Sequence, residues 1–263
     1  MKLLLKPFHW LYWLYAVILF VGIMLLIFPF VCIASLLGRI RGGNIIYRLC
    51  MFWADLWFPL TFNRVKRIYE SPHDPHKPYI FVSNHISYLD AAIIVKAFRQ
   101  PVRALGKVEM AKLPIFGFIY SRAIVTVDRS SADNRARSVR ILKSIISKGI
   151  SVMVFPEGTF NMTHQPLKDF YEGAFRVAIE TQTPVKPVLF LDGYARMGYE
   201  SLFSLNPGVC RIVYLDEIPV DGLTANDIGL LKEKVYRLME QKLIDYRASW
   251  IQPATVAKPG LSL

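Results

Sequence analysis

From Pro7 to Gly38 the chain carries no aspartate, glutamate, lysine or arginine. A stretch of that length, wound as one helix, reaches about 48 Å, against a hydrocarbon core of about 30 Å. It is too long for one straight span. It is also too long and too aromatic for a signal peptide and lacks a clear small-residue cleavage site, so it reads as retained. Cysteine is scarce: Cys32, Cys50 and Cys210 are widely spaced and mostly in apolar runs, which gives neither a disulfide framework nor metal ligands and fits a reducing compartment. There is no zinc-ligand spacing, no RNA-binding signature and no internal repeat. Acidic residues are few, 20 against 32 basic, and the net charge of +12 asks for an anionic partner. The hydrophobic fraction of 53% turns that partner away from nucleic acid and toward a phospholipid surface or a phosphorylated substrate.

Lys2 and Lys6 precede the uncharged run and Arg39, Arg41 and Arg48 follow it, so positive charge favours neither orientation of a single span. Pro29 offers a break, and a helical hairpin or re-entrant anchor with both ends cytoplasmic satisfies the charges at both ends; a single kinked span is the alternative. From Asn44 to Phe62 the rings of Trp53, Trp57 and Phe58 alternate with Arg48 and Asp55, which fits an interfacial helix at headgroup depth or a core helix of the next domain. Residues Ser71 to Lys77 are a Pro-rich polar loop, in which His73 and His76 lack the partners of a metal site.

The segments PYIFVS, AIVTV, ISVMVF, VKPVLFL and CRIVYL read as short apolar strands, and helical patterns lie between the first four. That is α/β organisation: a mixed central sheet flanked by helices, with an N-terminal membrane-embedded helical anchor. Ser131 to Lys148 is the clearest helix, apolar at Val139, Leu142, Ile145 and Ile146 and basic at Arg135, Arg137, Arg140 and Lys143. Thr224 and Asp227 form a capping box ahead of a second helix carrying Ile228, Leu231, Val235 and Leu238 on one face. The boundaries that follow are an anchor with its interfacial helix over 1–62, a catalytic domain over 63–250 and a loose tail over 251–263.

Two motifs carry chemistry. NHISYLD, Asn84 to Asp90, follows a strand and opens a helix. Imidazole titrates near neutral pH, and a carboxylate on its second nitrogen fixes tautomer and orientation. Five residues apart on one helix, His85 and Asp90 would lie roughly 140° apart, so they meet only if His85 precedes the helix. Ser87 as N-cap, with Asp90 three residues on, places it there. FPEGTF, Phe155 to Phe160, delivers Glu157 and Gly158 at the end of the SVMVF strand, where sites in α/β sheets collect.

NHISYLD followed by FPEGT resembles the glycerolipid acyltransferase superfamily, the lysophosphatidate acyltransferases in particular. AIVTVDR, Ala123 to Arg129, is similar to that family's strand ending in a substrate-binding arginine, and TPVKPV, Thr183 to Val188, to its last proline motif. The resemblance covers roughly residues 60 to 220, in the family's order. It implies transfer of an acyl chain from acyl-CoA or acyl-carrier protein to the hydroxyl of a lysolipid, 1-acylglycerol-3-phosphate, giving phosphatidic acid. His85 is then the general base and Asp90 its orienting partner, with no metal and no cofactor beyond the donor substrate. Arg129, Glu157, Gly158 and Thr159 would shape the headgroup site, and Lys107 matches a lysine often found before the arginine strand. An N-terminal pair of helices often docks such proteins into one leaflet of the bilayer, which here puts the site on the cytoplasmic face of the membrane.

No G-x-S-x-G elbow occurs and no cysteine sits beside either motif, so a covalent route has no obvious nucleophile. Two departures bear on the acceptor. Phe160 and Asn161 stand where the family commonly has an arginine and a serine, and Tyr171 or Glu172 where a lysine is expected. Both remove positive charge from the headgroup neighbourhood. Lys168, His164 or the basic helix are the available replacements; without them the acceptor is a lyso-aminolipid or another membrane alcohol. A silent lipid-binding scaffold of the same fold and a hydrolase are the competing classes.

Overall fold

The structure, a computed structural model, describes residues 6–127 and 132–251. The uncharged run forms one helix, α1 (Lys6–Ser35), which continues through Pro29. The break expected there does not occur. Proline removes one helical hydrogen bond, but Ile27 and Val31 on either side of it are buried in tertiary contacts that hold the helix together. A hairpin does form, but later: the chain turns through 36–42 and returns as α2 (Gly43–Leu60). Tyr12 Oη donates to the Thr61 carbonyl at 2.8 Å, Trp57 Nε1 to Ala16 at 2.9 Å and Trp53 Nε1 to Phe20 at 3.1 Å, so the two helices run antiparallel. Of the two readings for 44–62, the core helix is the one realised. Trp53, Trp57 and Phe58 are buried between α1 and the sheet rather than displayed at an outer face. Among the described residues α1 alone is long and apolar enough to cross a bilayer.

The chain then alternates: β1 (Asn63–Tyr69), β2 (Ile80–Ser83), α3 (Asp90–Ala97), β3 (Val102–Lys107), α4 (Phe116–Ala123), β4 (Val125–Val127), α5 (Ala132–Ile146), β5 (Ser151–Val154), α6 (Gly173–Glu180), β6 (Val185–Phe190), α7 (Gly193–Arg196), β7 (Gly208–Tyr214) and α8 (Ile228–Asp245). Seven strands form one mixed sheet in the order β1-β7-β6-β2-β5-β3-β4. Neighbours are parallel except β6 and β7. The central strands are buried on both faces, the usual state of strands covered by helices on each side.

Side-chain alternation divides the core into two layers. Ile80, Val82, Val152 and Val154 point to the face covered by α5, α6 and α8; Phe81 and Met153 point to the face covered by α1, α2 and α3. The sheet is therefore the middle of three layers, and the N-terminal helices share its core.

Two strands escaped the sequence pattern. β1, NRVKRIY, is rich in cations because it is an edge strand with Arg64 and Lys66 in solvent. In β3 the buried Arg103 broke the apolar pattern; its guanidinium reaches the side chain of Asn44 at 2.7 Å on α2. The capping box of Thr224 and Asp227 is present, closing a 3₁₀ turn that runs into α8. On α8 the fully buried position is Met239 rather than its neighbour Leu238, which is half-buried. The tail from residue 252 on lies outside the described residues.

Candidate active site

β2 and β5 are parallel neighbours, with Val82 beside Val154. The segments leaving their C-terminal ends, 84–90 and 155–160, therefore emerge side by side at one edge of the sheet. Asn84 anchors the first of them across β6: its amide donates to the Phe190 carbonyl and its side-chain oxygen accepts from Phe190 N, both at 2.9 Å.

α3 begins at Asp90, so His85 lies in the entering loop, as contact with Asp90 requires. His85 Nδ1 is 2.9 Å from Asp90 Oδ2. The same oxygen accepts from the backbone N–H of Ile86 and of Ser87, each at 2.9 Å. Ser87 is not the N-cap. That position is Leu89, with no side-chain cap; Ser87 Oγ instead accepts from Leu89 N at 2.9 Å and donates to the Met197 carbonyl. The carboxylate of Asp90 takes over the loop amides that a capping serine would leave free. Asp90 is fully buried, and Gly193 at the start of α7 lies so close that an added Cβ would sit 2.8 Å from Asp90 Oδ1. An ionised carboxylate only accepts, so His85 Nδ1 carries its proton toward Asp90 and Nε2 is left with the free lone pair. The ring lies face to face with Phe155, centroids 3.9 Å apart, and meets the edge of Phe160 at 4.4 Å, with Tyr88 against Phe160 at 4.9 Å. About one fifth of the His85 side chain, 22%, is exposed.

Glu157, expected to help shape a headgroup site, is itself 2% exposed and engaged with the backbone. One oxygen accepts from His85 N at 2.8 Å and the other from Lys168 N at 3.0 Å. The His85 carbonyl in turn accepts from Asn161 N at 2.8 Å. Glu157 thus ties the histidine loop to the segment bearing Lys168. Burial pushes its carboxyl up to about 7; the two amide hydrogen bonds oppose the rise and the Asp90 charge adds to it. Gly158, also expected at the headgroup site, takes φ +75°, a conformation that favours glycine, and its amide donates to the Phe155 carbonyl at 3.1 Å, closing a turn. Thr159 is exposed, and its hydroxyl accepts from Lys168 Nζ at 2.9 Å.

Of the replacement cations, Lys168 reaches the motif. His164 does not: its Nδ1 lies 3.1 Å from the Trp250 carbonyl and its Nε2 3.4 Å from Tyr199 Oη. On α5, Lys143 is paired with Glu180 at 2.8 Å, while Arg137 and Arg140 are exposed. Lys107 ends β3, the neighbour of β5, with an exposed side chain. Arg129 lies outside the described residues. Tyr171 is exposed and its amide donates to the Pro156 carbonyl at 2.9 Å. The sequence pattern missed Phe155 as a ring platform and Gly193 as the close neighbour of Asp90; the first was legible only as a strand residue, and the second carries no local signal.

Residues 64–191 match the family model described as Acyltransferase. An uncharacterised acyltransferase of Schizosaccharomyces pombe is 26% identical over 227 residues, 85% of this chain and 78% of that protein. The 1-acyl-sn-glycerol-3-phosphate acyltransferase alpha of Mus musculus is 28% identical over 209 residues, 76% of this chain and 71% of that protein. The crystal structure of the 1-acyl-sn-glycerophosphate acyltransferase PlsC of Thermotoga maritima superposes with a TM-score of 0.71 at 21% identity, covering 96% of this chain and 100% of that one, which shows a shared fold. With both motifs at the ends of adjacent strands and inside the matched segment, the chain carries an acyltransferase domain and is an acyltransferase, similar to the 1-acyl-sn-glycerol-3-phosphate acyltransferases.

Proposed function

We propose that the protein transfers a fatty acyl chain from acyl-CoA or acyl-carrier protein to the free hydroxyl of 1-acylglycerol-3-phosphate, forming phosphatidic acid, with His85 as general base. The observation that carries this is the buried Asp90 carboxylate on His85 Nδ1, which leaves Nε2 as the proton acceptor in a ring that is partly open to solvent. His85 takes the acceptor's hydroxyl proton as the oxygen attacks the thioester carbonyl. The tetrahedral intermediate collapses with loss of the thiolate, to which the imidazolium returns the proton. Asp90 holds the imidazolium by charge, and no acyl-enzyme is formed.

Lys168 supplies the cation for the acceptor's phosphate. Its ammonium is held by a hydroxyl rather than a carboxylate, so its charge is available to a ligand, and Glu157 fixes its backbone to that of the base. Arg129 and Lys107 are further phosphate contacts.

The acceptor is drawn from a bilayer. α1 lies lengthwise on the protein: Trp13 reaches the Leu202 carbonyl at 2.9 Å, Trp57 the Ala16 carbonyl at 2.9 Å, and Phe28 packs on Phe118 of α4 at 5.6 Å. Its outer side bears exposed Phe8, Leu11, Ile18, Leu26, Phe30 and Ile33. A helix held along its length cannot stand across a membrane without dragging the polar domain with it. These contacts favour a helix lying in one leaflet, with α2 beneath it and the site on the cytoplasmic side, where the basic turn at Arg39 and Arg41 also belongs.

The test is transfer of a labelled acyl group from each donor to a panel of lysolipids by the purified full chain. Preference for 1-acylglycerol-3-phosphate bears the proposal out. Transfer only to an acceptor without a phosphate monoester would leave the chemistry of His85 in place and make Phe160 and Tyr171 marks of a different headgroup.

A further inference from the structure

The connection from β6 to β7 touches both the catalytic loop and the start of α1. At its near end Gly193 abuts Asp90, Ser87 Oγ donates to the Met197 carbonyl, and Gly198 forms a β-bridge with Ser87. Four residues later it makes a 3₁₀ turn over Leu202–Ser204. Trp13 Nε1 donates to the Leu202 carbonyl at 2.9 Å, and His9 Nε2 lies 2.7 Å from the Phe203 carbonyl. The Phe203 ring meets Trp10 at 5.1 Å and Trp13 at 4.7 Å. Leu202 is nonetheless 54% exposed and Phe203 47%, beside Trp10 at 52% and Phe8 at 70%.

Bulky apolar side chains on a short loop are costly to leave in water, and here they continue the exposed apolar side of α1 at its tryptophan-bearing end. Indole rings with a polar edge satisfied and a face left open are the side chains that settle at a membrane–water interface. We propose that Leu202 and Phe203 are a second lipid contact, inserted into the bilayer interface beside α1, and that the short strap from Gly198 to Leu202 sets the height of the catalytic loop above the membrane. Four residues span at most about 14 Å. The loop bearing His85 is thereby kept within reach of an acceptor whose chains remain in the leaflet. This inference rests on the bilayer reading of α1 given above.

The test uses the full chain in phosphatidylcholine–phosphatidylglycerol vesicles, with a photo-reactive benzoylphenylalanine placed singly at position 203, at 18 on the outer side of α1, or at 230 on α8, where Leu230 is 68% exposed. Lipid adducts at 203 and 18 but not at 230 are expected. An adduct at 18 alone overturns the second contact and leaves the bilayer reading standing; adducts at neither position overturn both. Function gives an independent arm. Leu202→Ser with Phe203→Ser should lower kcat/KM for vesicle-borne acceptor by about tenfold or more, while turnover of a short-chain, monomeric lysophosphatidate stays within about twofold and Phe203→Trp retains the vesicle activity. Equal loss on both acceptors would show a merely structural loop and refute the coupling.

Discussion

Replacing Glu157 by glutamine tests how the two motifs are held together. The wild-type carboxyl is buried and accepts from the amides of His85 and Lys168. Burial wins over those hydrogen bonds and raises it from its usual 4.5 to about 7. A group whose folded-state pKa is raised stabilises the fold most fully below its unfolded value, and that stability is lost as pH rises through the folded value. Wild type should therefore lose about 3 kcal/mol between pH 4.5 and pH 8 from this group alone. The glutamine of Glu157→Gln does not titrate. It leaves one backbone N–H facing an NH₂ group, at a cost of about 1–3 kcal/mol that is the same at every pH. The difference in stability, variant minus wild type, should thus be negative at pH 5 and climb by about 2–3 kcal/mol toward pH 8. In a chain of this size that is a change of roughly 5–10 °C in the difference between the two melting temperatures. Thermal unfolding of both proteins in the same detergent, followed by circular dichroism across that range, measures it. A flat difference from pH 5 to 8 would mean that the amides, not burial, set the carboxyl.

Other substitutions test the remaining contacts. Asp90→Asn removes the negative charge from His85 Nδ1 at 2.9 Å; at an effective dielectric near 20 that is about 6 kcal/mol, so kcat should fall about 10⁴-fold with KM little changed, as initial rates at saturating donor will show. Lys168→Met should raise KM for a phosphate-bearing acceptor by about tenfold and leave KM for the acyl donor unchanged; an equal rise for a neutral acceptor would remove Lys168 from the headgroup site. Gly193→Ala puts a methyl 2.8 Å from Asp90 Oδ1 and 3.0 Å from Ser87 Cβ. It should cost about 1–3 kcal/mol of stability by denaturant titration and depress kcat as Asp90 is displaced.

The α/β alternation and the meeting of His85 with Asp90 were legible because each depends on local sequence: apolar strand runs, and a histidine that must precede the helix to reach an aspartate five residues on. β1 and β3 were not, because edge exposure in one and the buried Arg103 in the other defeat an apolar pattern. The chain turns back at 36–42 rather than at Pro29 because packing around Ile27 and Val31 outweighs one missing hydrogen bond. The roles of Ser87, Gly193 and the β6–β7 connection come from a segment about a hundred residues away, which no local motif announces. Glu157 shows a further limit: a motif can point to a residue without saying whether its side chain faces a substrate or, as here, two backbone amides.

The proposed role of His85 as base is measured by acyl transfer from acyl-CoA to 1-acylglycerol-3-phosphate by wild type and His85→Ala, both bound to the same vesicles, with membrane-bound protein quantified in each sample. Full membrane binding by the variant is expected, with transfer lowered by about 10³-fold or more. Turnover within tenfold of wild type would contradict it and return the proton-accepting role to a group not yet identified.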